Sequence, residues 1–99
     1  MTHHRIWKFR PPAGHEQEFA AAYARTGPWA ALFRKAKGYR GTNLLRPIEP
    51  GGWWLTIDRW DREADFHAFQ RNFGHQYRAL DIQLEGVAGD EEFVGALED

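Results

Sequence analysis

The 99-residue chain has no cysteine. That excludes a disulfide framework, thiol chemistry and a thiolate metal site. No apolar run approaches the roughly 20 residues needed to span a bilayer, and no membrane partner is expected. Met1-Thr2-His3-His4-Arg5 leads directly into a strand-like stretch without the apolar core of a secretory signal, so a cytoplasmic protein is expected. Charge of either sign is not in excess: 13 Lys and Arg face 14 Asp and Glu, for a formal net charge of −1. The signs are interspersed, with no basic stripe or tail, which argues against nucleic acid as a partner. The glycines of Gly38-Tyr39-Arg40-Gly41 do not make a phosphate-binding loop. No spacing suggests a Ser–His–Asp triad or a carboxylate pair. Internal repeats, low-complexity tracts and linkers are also missing, so residues 1–99 are expected to form a single domain.

Aromatic residues, by contrast, are abundant: five Trp, seven Phe and three Tyr. A domain of this size has limited interior for so many rings. Some of them are expected to line a pocket or a subunit interface, where aromatics give large contact area at low entropy cost; the alternative is that all of them fill one core.

The hydrophobic period changes several times along the chain. Residues 4–10 alternate, with Trp7 and Phe9 on one side and Ile6 on the other, as in a half-buried strand. Pro11-Pro12-Ala13-Gly14 ends it. From His15, Phe19, Ala22 and Tyr23 fall at helical spacing behind the acidic turn Glu16-Gln17-Glu18. Thr26-Gly27-Pro28 interrupts, and Pro28 suits the first position of a second helical segment carrying Trp29, Leu32, Phe33 and Ala36, closed by Gly38. Residues 39–46 read as extended, 47–52 as a turn, and 53–60 as the most strand-like stretch of all. There Trp53, Leu55 and Ile57 point one way, and Trp54, Thr56, Asp58 and Trp60 the other. A sheet with helices on one side and water on the other should show one apolar face only. The second face is therefore expected to meet another protein surface, most economically a second copy of the chain, although a one-residue register error would exchange the two sets. Asp61 is placed to cap a long helix in which Phe66, Phe69, Phe73, Tyr77, Leu80 and Leu84 recur, with a bend at Gly74. Gly86 and Gly89 are expected to break the pattern, and 92–97 to supply a last strand. The order β-α-β-β-α-β predicts an α+β, ferredoxin-like domain with an antiparallel sheet.

That order, together with Gly38-Tyr39-Arg40-Gly41-Thr42, the strand end Thr56-Ile57-Asp58-Arg59-Trp60 and the helix from Phe66 through Tyr77 to Leu80-Asp81, resembles the antibiotic-biosynthesis-monooxygenase (ABM) superfamily over nearly the whole chain. The resemblance implies a dimeric α/β barrel, a homodimer joined through its sheet faces, and a hydrophobic pocket between each sheet and its own helices. It is less informative about chemistry, because fold does not fix function. Members of one branch oxidise aromatic polyketides to quinones with dioxygen and neither metal nor flavin. Their third strand ends in a Trp, matched by Trp60, but the accompanying Asn and Tyr correspond here to Thr56 and Phe66. Another branch degrades haem with an Asn on the first strand and a Trp and a His on the second long helix. The matching helical positions hold Phe69 and Ala79, and His75 lies one turn too early, so haem chemistry is not expected.

Among the residues themselves, His67 and His75 lie off the aromatic stripe. They read either as solvated flank residues or, for His75, as a base at a pocket mouth beside Tyr77. His3 and His4 are adjacent on a strand and point apart, and no cluster has metal-ligand spacing, so neither a metal nor a cofactor is expected. Trp29, Phe33, Trp54, Trp60, Phe66, Phe69 and Phe73 are candidate walls for a flat aromatic ligand, with Tyr39 and Asn43 as weaker candidates. Asp58 reads as the partner of Arg59 or another cation, or as a polar pocket group. The resulting expectation is a cofactor-independent monooxygenase-like protein acting on a small aromatic or phenolic compound. In that reading Trp60 and Trp54 stack on the ring, Thr56 hydrogen-bonds a substrate oxygen, and Tyr77 or His75 assists proton removal. The alternatives are a non-catalytic binder of hydrophobic metabolites and an oxygen-independent isomerase or cyclase on the same scaffold.

Overall fold

The computed structural model describes all of residues 1–99. Strand β1 (His3–Arg10) is followed by two short helices, α1 (Glu16–Tyr23) and α2 (Pro28–Phe33), then strands β2 (Tyr39–Leu45) and β3 (Trp54–Trp60). A long helix α3 (Glu63–Ala88) leads to the last strand, β4 (Asp90–Glu98). The four strands form one antiparallel sheet in the order β2-β3-β1-β4. This is the ferredoxin-like α+β arrangement the hydrophobic periods predict.

The two-residue period of the strands decides what the sheet shows to each side. His3, Arg5, Trp7 and Phe9 of β1 share a face with Trp54, Thr56, Asp58 and Trp60 of β3, because the register pairs His3 with Trp60, Arg5 with Asp58, Trp7 with Thr56 and Phe9 with Trp54. The helices pack on this face. Phe19 and Tyr23 of α1, Trp29, Leu32 and Phe33 of α2, and Phe66 and Phe69 of α3 close the core over it. The opposite face carries Ile6, Leu55 and Ile57, as the alternation within 53–60 requires.

Local signals account for most boundaries. Pro28 occupies the first turn of α2, where its missing N–H is no loss, with Gly27 at the N-cap. Gly38 has φ +89°, the left-handed region open to glycine, and a side chain there would strike Asp65. Its carbonyl accepts the Asp61 N–H at 2.7 Å, which ties the start of β2 to the end of β3.

Two expectations about the long helix are corrected. Arg62, not Asp61, occupies the N-cap of α3, and no side chain caps it, because Asp61 is engaged by the Arg40 guanidinium. The helix also runs through Gly86 to Ala88 and ends only at Gly89, with φ +65°. Glycine inside a helix weakens it by about 1 kcal/mol relative to alanine, and the flanking Leu84, Val87 and Ala88 all pack against the core. The expected bend is present, one residue before Gly74: Phe73 leaves helical geometry at φ −124°, ψ 21°.

Trp60 is the centre of the interior. It is 0% exposed, and its ring meets those of Phe33, Tyr39, Phe66 and Phe69 at centroid distances of 5.3–5.8 Å. Truncating a ring so enclosed leaves a cavity that its neighbours cannot fill. Trp60→Ala is expected to lower the unfolding free energy by about 3–5 kcal/mol, measurable as a shift in the urea midpoint, with Trp60→Phe losing clearly less.

Candidate active site

Between the helix-covered face of the sheet and the helices lies a cavity of about 180 Å³. Its floor is set by strand register. Thr42 of β2, Asp58 of β3 and Arg5 of β1 are successive partners across the sheet and form one polar row. Beside them, Thr56 is paired with Trp7. All five side chains line the cavity. The walls are aromatic: Trp29 and Phe33 from α2, Tyr23 from α1, Phe66 and Tyr77 from α3, and Phe9 from β1. Gln70, Asp81 and Glu91 complete the lining. An apolar site with a few convergent polar groups is the usual composition of a small-molecule pocket. A 150 Å³ apolar cavity holds one benzene ring, so this one suits a compound of one or two rings.

The polar row is organised by hydrogen bonds. Thr42 Oγ1 donates to Asp58 Oδ1 at 2.6 Å. Because the Thr42 proton is committed there, the Tyr39 hydroxyl donates to Thr42 in turn. Burial pushes the Asp58 carboxyl up to about 6, against the Thr42 hydrogen bond and the Arg5 and Arg59 charges, which oppose the rise. Arg5 lies with its guanidinium carbon 3.8 Å from the Phe66 ring centroid and 4.8 Å from that of Phe93, a cation held between two aromatic faces. Its own pKa is lowered by burial, although Tyr77, Glu63 and Asp58 act against this.

Burial also raises Tyr77, with the nearby Asp81, Glu91 and Asp58 adding to the rise and Arg5 opposing it. Tyr23 is raised in the same way, chiefly by burial. Both therefore stay protonated at neutral pH and enter the cavity as hydrogen-bond donors. The buried Trp29 indole N–H lies beside the Tyr23 hydroxyl and opposes part of that rise.

The structure brings together Thr56, Tyr77, Trp29, Phe33 and Phe66 around the cavity, and it places the other expected site residues elsewhere. Trp60 lies behind the wall, screened by Phe33 and Phe66, so stacking on a ligand is not open to it. Trp54 sits at the far end of β3 against Phe19, with Arg46 over its ring. Phe69 is fully buried beside Trp60, and Phe73 stacks on Phe69. Tyr39 reaches the cavity only through Thr42. Asn43 is on the other face of the sheet, where it accepts from Arg59. Asp58 and Arg59 accordingly point apart, and Asp58 is a pocket group. His75 is exposed near Arg78 and does not line the cavity, and His67 is exposed beside Glu63 and Gln70.

The lining also includes residues the sequence reading did not single out as site residues: Arg5, Trp7, Phe9, Tyr23, Thr42, Gln70, Asp81 and Glu91. For β1 a signal existed. Arg5 has the same parity as Trp7 and Phe9 and so had to enter the buried face with them.

Comparison with known proteins agrees with this architecture. SnoaB, a cofactor-independent oxygenase from Streptomyces nogalater, superposes with a TM-score of 0.76 at 20% identity, covering 99% of this chain and 92% of that one. PA3566 from Pseudomonas aeruginosa does so with a TM-score of 0.68 at 17% identity, over 99% and 93%. A mutant of MhuD with two manganese protoporphyrin IX molecules bound per active site gives 0.66 at 19% identity, over 98% and 93%. At such identities the likeness is one of fold. No curated protein matches the sequence. The pattern of the antibiotic biosynthesis monooxygenase family, however, matches residues 2–78, which carry every cavity-lining side chain except Asp81 and Glu91. The chain therefore belongs to the antibiotic biosynthesis monooxygenase family.

Proposed function

We propose that this protein is a cofactor-independent monooxygenase acting on a small aromatic or phenolic compound, and that it works as a homodimer. The observation that carries the reading is the cavity itself. Aromatic walls would hold a flat ring, and hydroxyl, carboxylate and guanidinium groups converge on one row of its floor. Membership of the family and the fold shared with SnoaB support it.

In such a reaction the substrate supplies the electrons. A ring-bound CH₂ that loses a proton becomes an electron-rich enolate. Dioxygen accepts electrons from that enolate, one oxygen atom becomes the new carbonyl, and the other leaves as water. The protein's contribution is to orient the ring, exclude water and favour the enolate over its parent. Thr56 would donate a hydrogen bond to a substrate oxygen, and Tyr77, held as a neutral phenol, would do the same from the opposite wall.

Dioxygen uptake by the metal-free protein against a panel of anthrones, hydroquinones and catechols tests the reading. Uptake above the uncatalysed rate is expected, with Thr56→Val reducing kcat/KM about tenfold or more. No uptake by any compound that quenches tryptophan fluorescence on binding would leave the cavity as a binding site or as the site of an oxygen-independent enzyme.

A further inference from the structure

Arg5 and Asp58 bring opposite charges into one cavity and do not neutralise each other by contact. They are register partners on adjacent strands and both line the cavity. Neither takes part in an ion pair within 4.0 Å. Asp58 receives a single hydrogen bond, from Thr42, and it falls on Oδ1, leaving Oδ2 free. Arg5 is held off by its aromatic clamp, between Phe66 and Phe93.

A carboxylate removed from water is normally paired, because an unpaired one is costly, and the cation beside it here is half-buried. Here the chain sets a cation and an anion side by side and keeps them apart. A ligand that offers a proton at one atom and develops negative charge on another a few bonds away would satisfy both groups at once. A ring-bound C–H next to a carbonyl is such a pair of atoms, and the aromatic walls select the ring.

We propose that Asp58 is the base that removes this C–H proton from a ketone whose α-carbon is bonded to an aromatic ring, and that Arg5 holds the enolate oxygen that results. The C–H bond breaks, its electron pair becomes the enolate, and its proton passes to Asp58 Oδ2. No electron leaves the substrate, so the step needs no oxidant. The proposal rests on the cavity being the substrate site, and it assigns the proton transfer to groups other than Tyr77 and His75. The remaining titratable groups around the cavity are Tyr23 of α1, Tyr77 and Asp81 of α3 and Glu91 of β4. Tyr39 stands behind Thr42, and the Arg59 charge acts on Asp58 from the other side of β3.

The test is deuterium exchange at the benzylic C–H of 2-tetralone, followed by NMR in D₂O without dioxygen. Exchange catalysed by the unaltered protein is expected to rise with pH around 6 and then level off. Asp58→Asn is expected to slow it by about a hundredfold or more at neutral pH and to abolish the pH dependence. Its affinity for 2-tetralone, read from tryptophan fluorescence, is expected to change far less than the exchange rate. Arg5→Met keeps the bulk between Phe66 and Phe93 and is expected to lose about a hundredfold in kcat. Exchange by Asp58→Asn within threefold of the unaltered protein overturns the assignment, as does absence of catalysed exchange in the unaltered protein. Because dioxygen is excluded, exchange without later oxygen uptake would retain the proton transfer and remove only the oxygenase reading.

Discussion

The Asp58→Asn protein is expected to melt above the unaltered protein at pH 7, and together with it near pH 3.5. The sign follows from the direction of the pKa. Burial raises the folded-state value from 3.8 to about 6, so between these limits the folded protein binds more protons than the unfolded chain. Stability then falls as pH rises through that window, and it stays lower above it. Below 3.8 the carboxyl is protonated in both states and the difference vanishes. The gap between 3.8 and about 6 corresponds to about 3 kcal/mol. Asparagine carries no charge to desolvate, and its Oδ1 still accepts from Thr42. At roughly 4–8 °C per kcal/mol for a domain of this size, even a third of that difference moves the melting temperature by about 5 °C. Melting curves of the two proteins at both pH values check this. Coincident curves at pH 7 would mean that Asp58 is well solvated in the folded protein and that the cavity floor is wet. A gain in stability on removing a charged side chain is the signature of a group retained for chemistry.

Ile57→Asp is expected to halve the mass of the protein in solution. On the face of the sheet that no helix covers, Ile57 pairs with Ile6 on one side and Asn43 on the other, and Leu55 pairs with Leu45. Leu97 is the partner of His4 at the β4 side. Ile6, Leu45, Leu55, Ile57 and Leu97 form an apolar centre, and Lys8, Arg10 and Arg59 surround it, the first two lying over the Trp53 ring at 4.6 and 4.3 Å. An antiparallel sheet that met only water would be polar here. A two-fold dimer brings Ile57 into the interface twice, once from each copy, so the substitution desolvates two carboxylates among the apolar side chains of the seam. A penalty of several kcal/mol dissociates a dimer at micromolar concentration. Sedimentation equilibrium should give twice 11.5 kDa for the unaltered protein and a single chain for the variant, with circular dichroism showing that the variant is folded. A single-chain mass for the unaltered protein would refute the dimer, and a double mass for a folded Ile57→Asp protein would move the interface off this face.

The parts of the fold carried by hydrophobic period were legible. Large residues on both faces of 53–60 placed Thr56 and Asp58 towards the helices and Leu55 and Ile57 away from them, because a two-residue period leaves no other choice once the register is set. Depth was not legible. Trp54, Thr56, Asp58 and Trp60 share a face, but only the packing of α1, α2 and α3 decides that the two tryptophans at the strand's ends are sealed while the polar pair between them opens into the cavity. Arg5 was not legible as a site residue because a charged residue near a chain terminus ordinarily reads as solvated, and the aromatic contacts that make its partial burial tolerable join β1 to Phe66 and Phe93, far apart in sequence. Glu91 was out of reach for a similar reason, since it arrives at the cavity only when β4 closes against β1, and Asp81 arrives only through the packing of the second half of α3. His75 had the chemistry of a base but not the position, because its direction from α3 follows helix phase and not residue type.

The break in α3 at Phe73 gives the cavity two walls with different mechanical standing. Phe66, before the break, is locked to Trp60 in the interior. Tyr77 and Asp81, after it, belong to a half-helix whose residues are mostly exposed and which meets the core along Tyr77, Leu80, Leu84, Val87 and Ala88. The rings of Trp29 and Phe69, which Tyr77 meets at 5.0 and 6.1 Å, connect that half-helix to the cluster around Trp60. The width of the cavity at Tyr77 is in this way set by the same ring contacts that hold the domain together, so a larger ligand ring has to be met by Tyr77, Trp29 and Phe69 jointly.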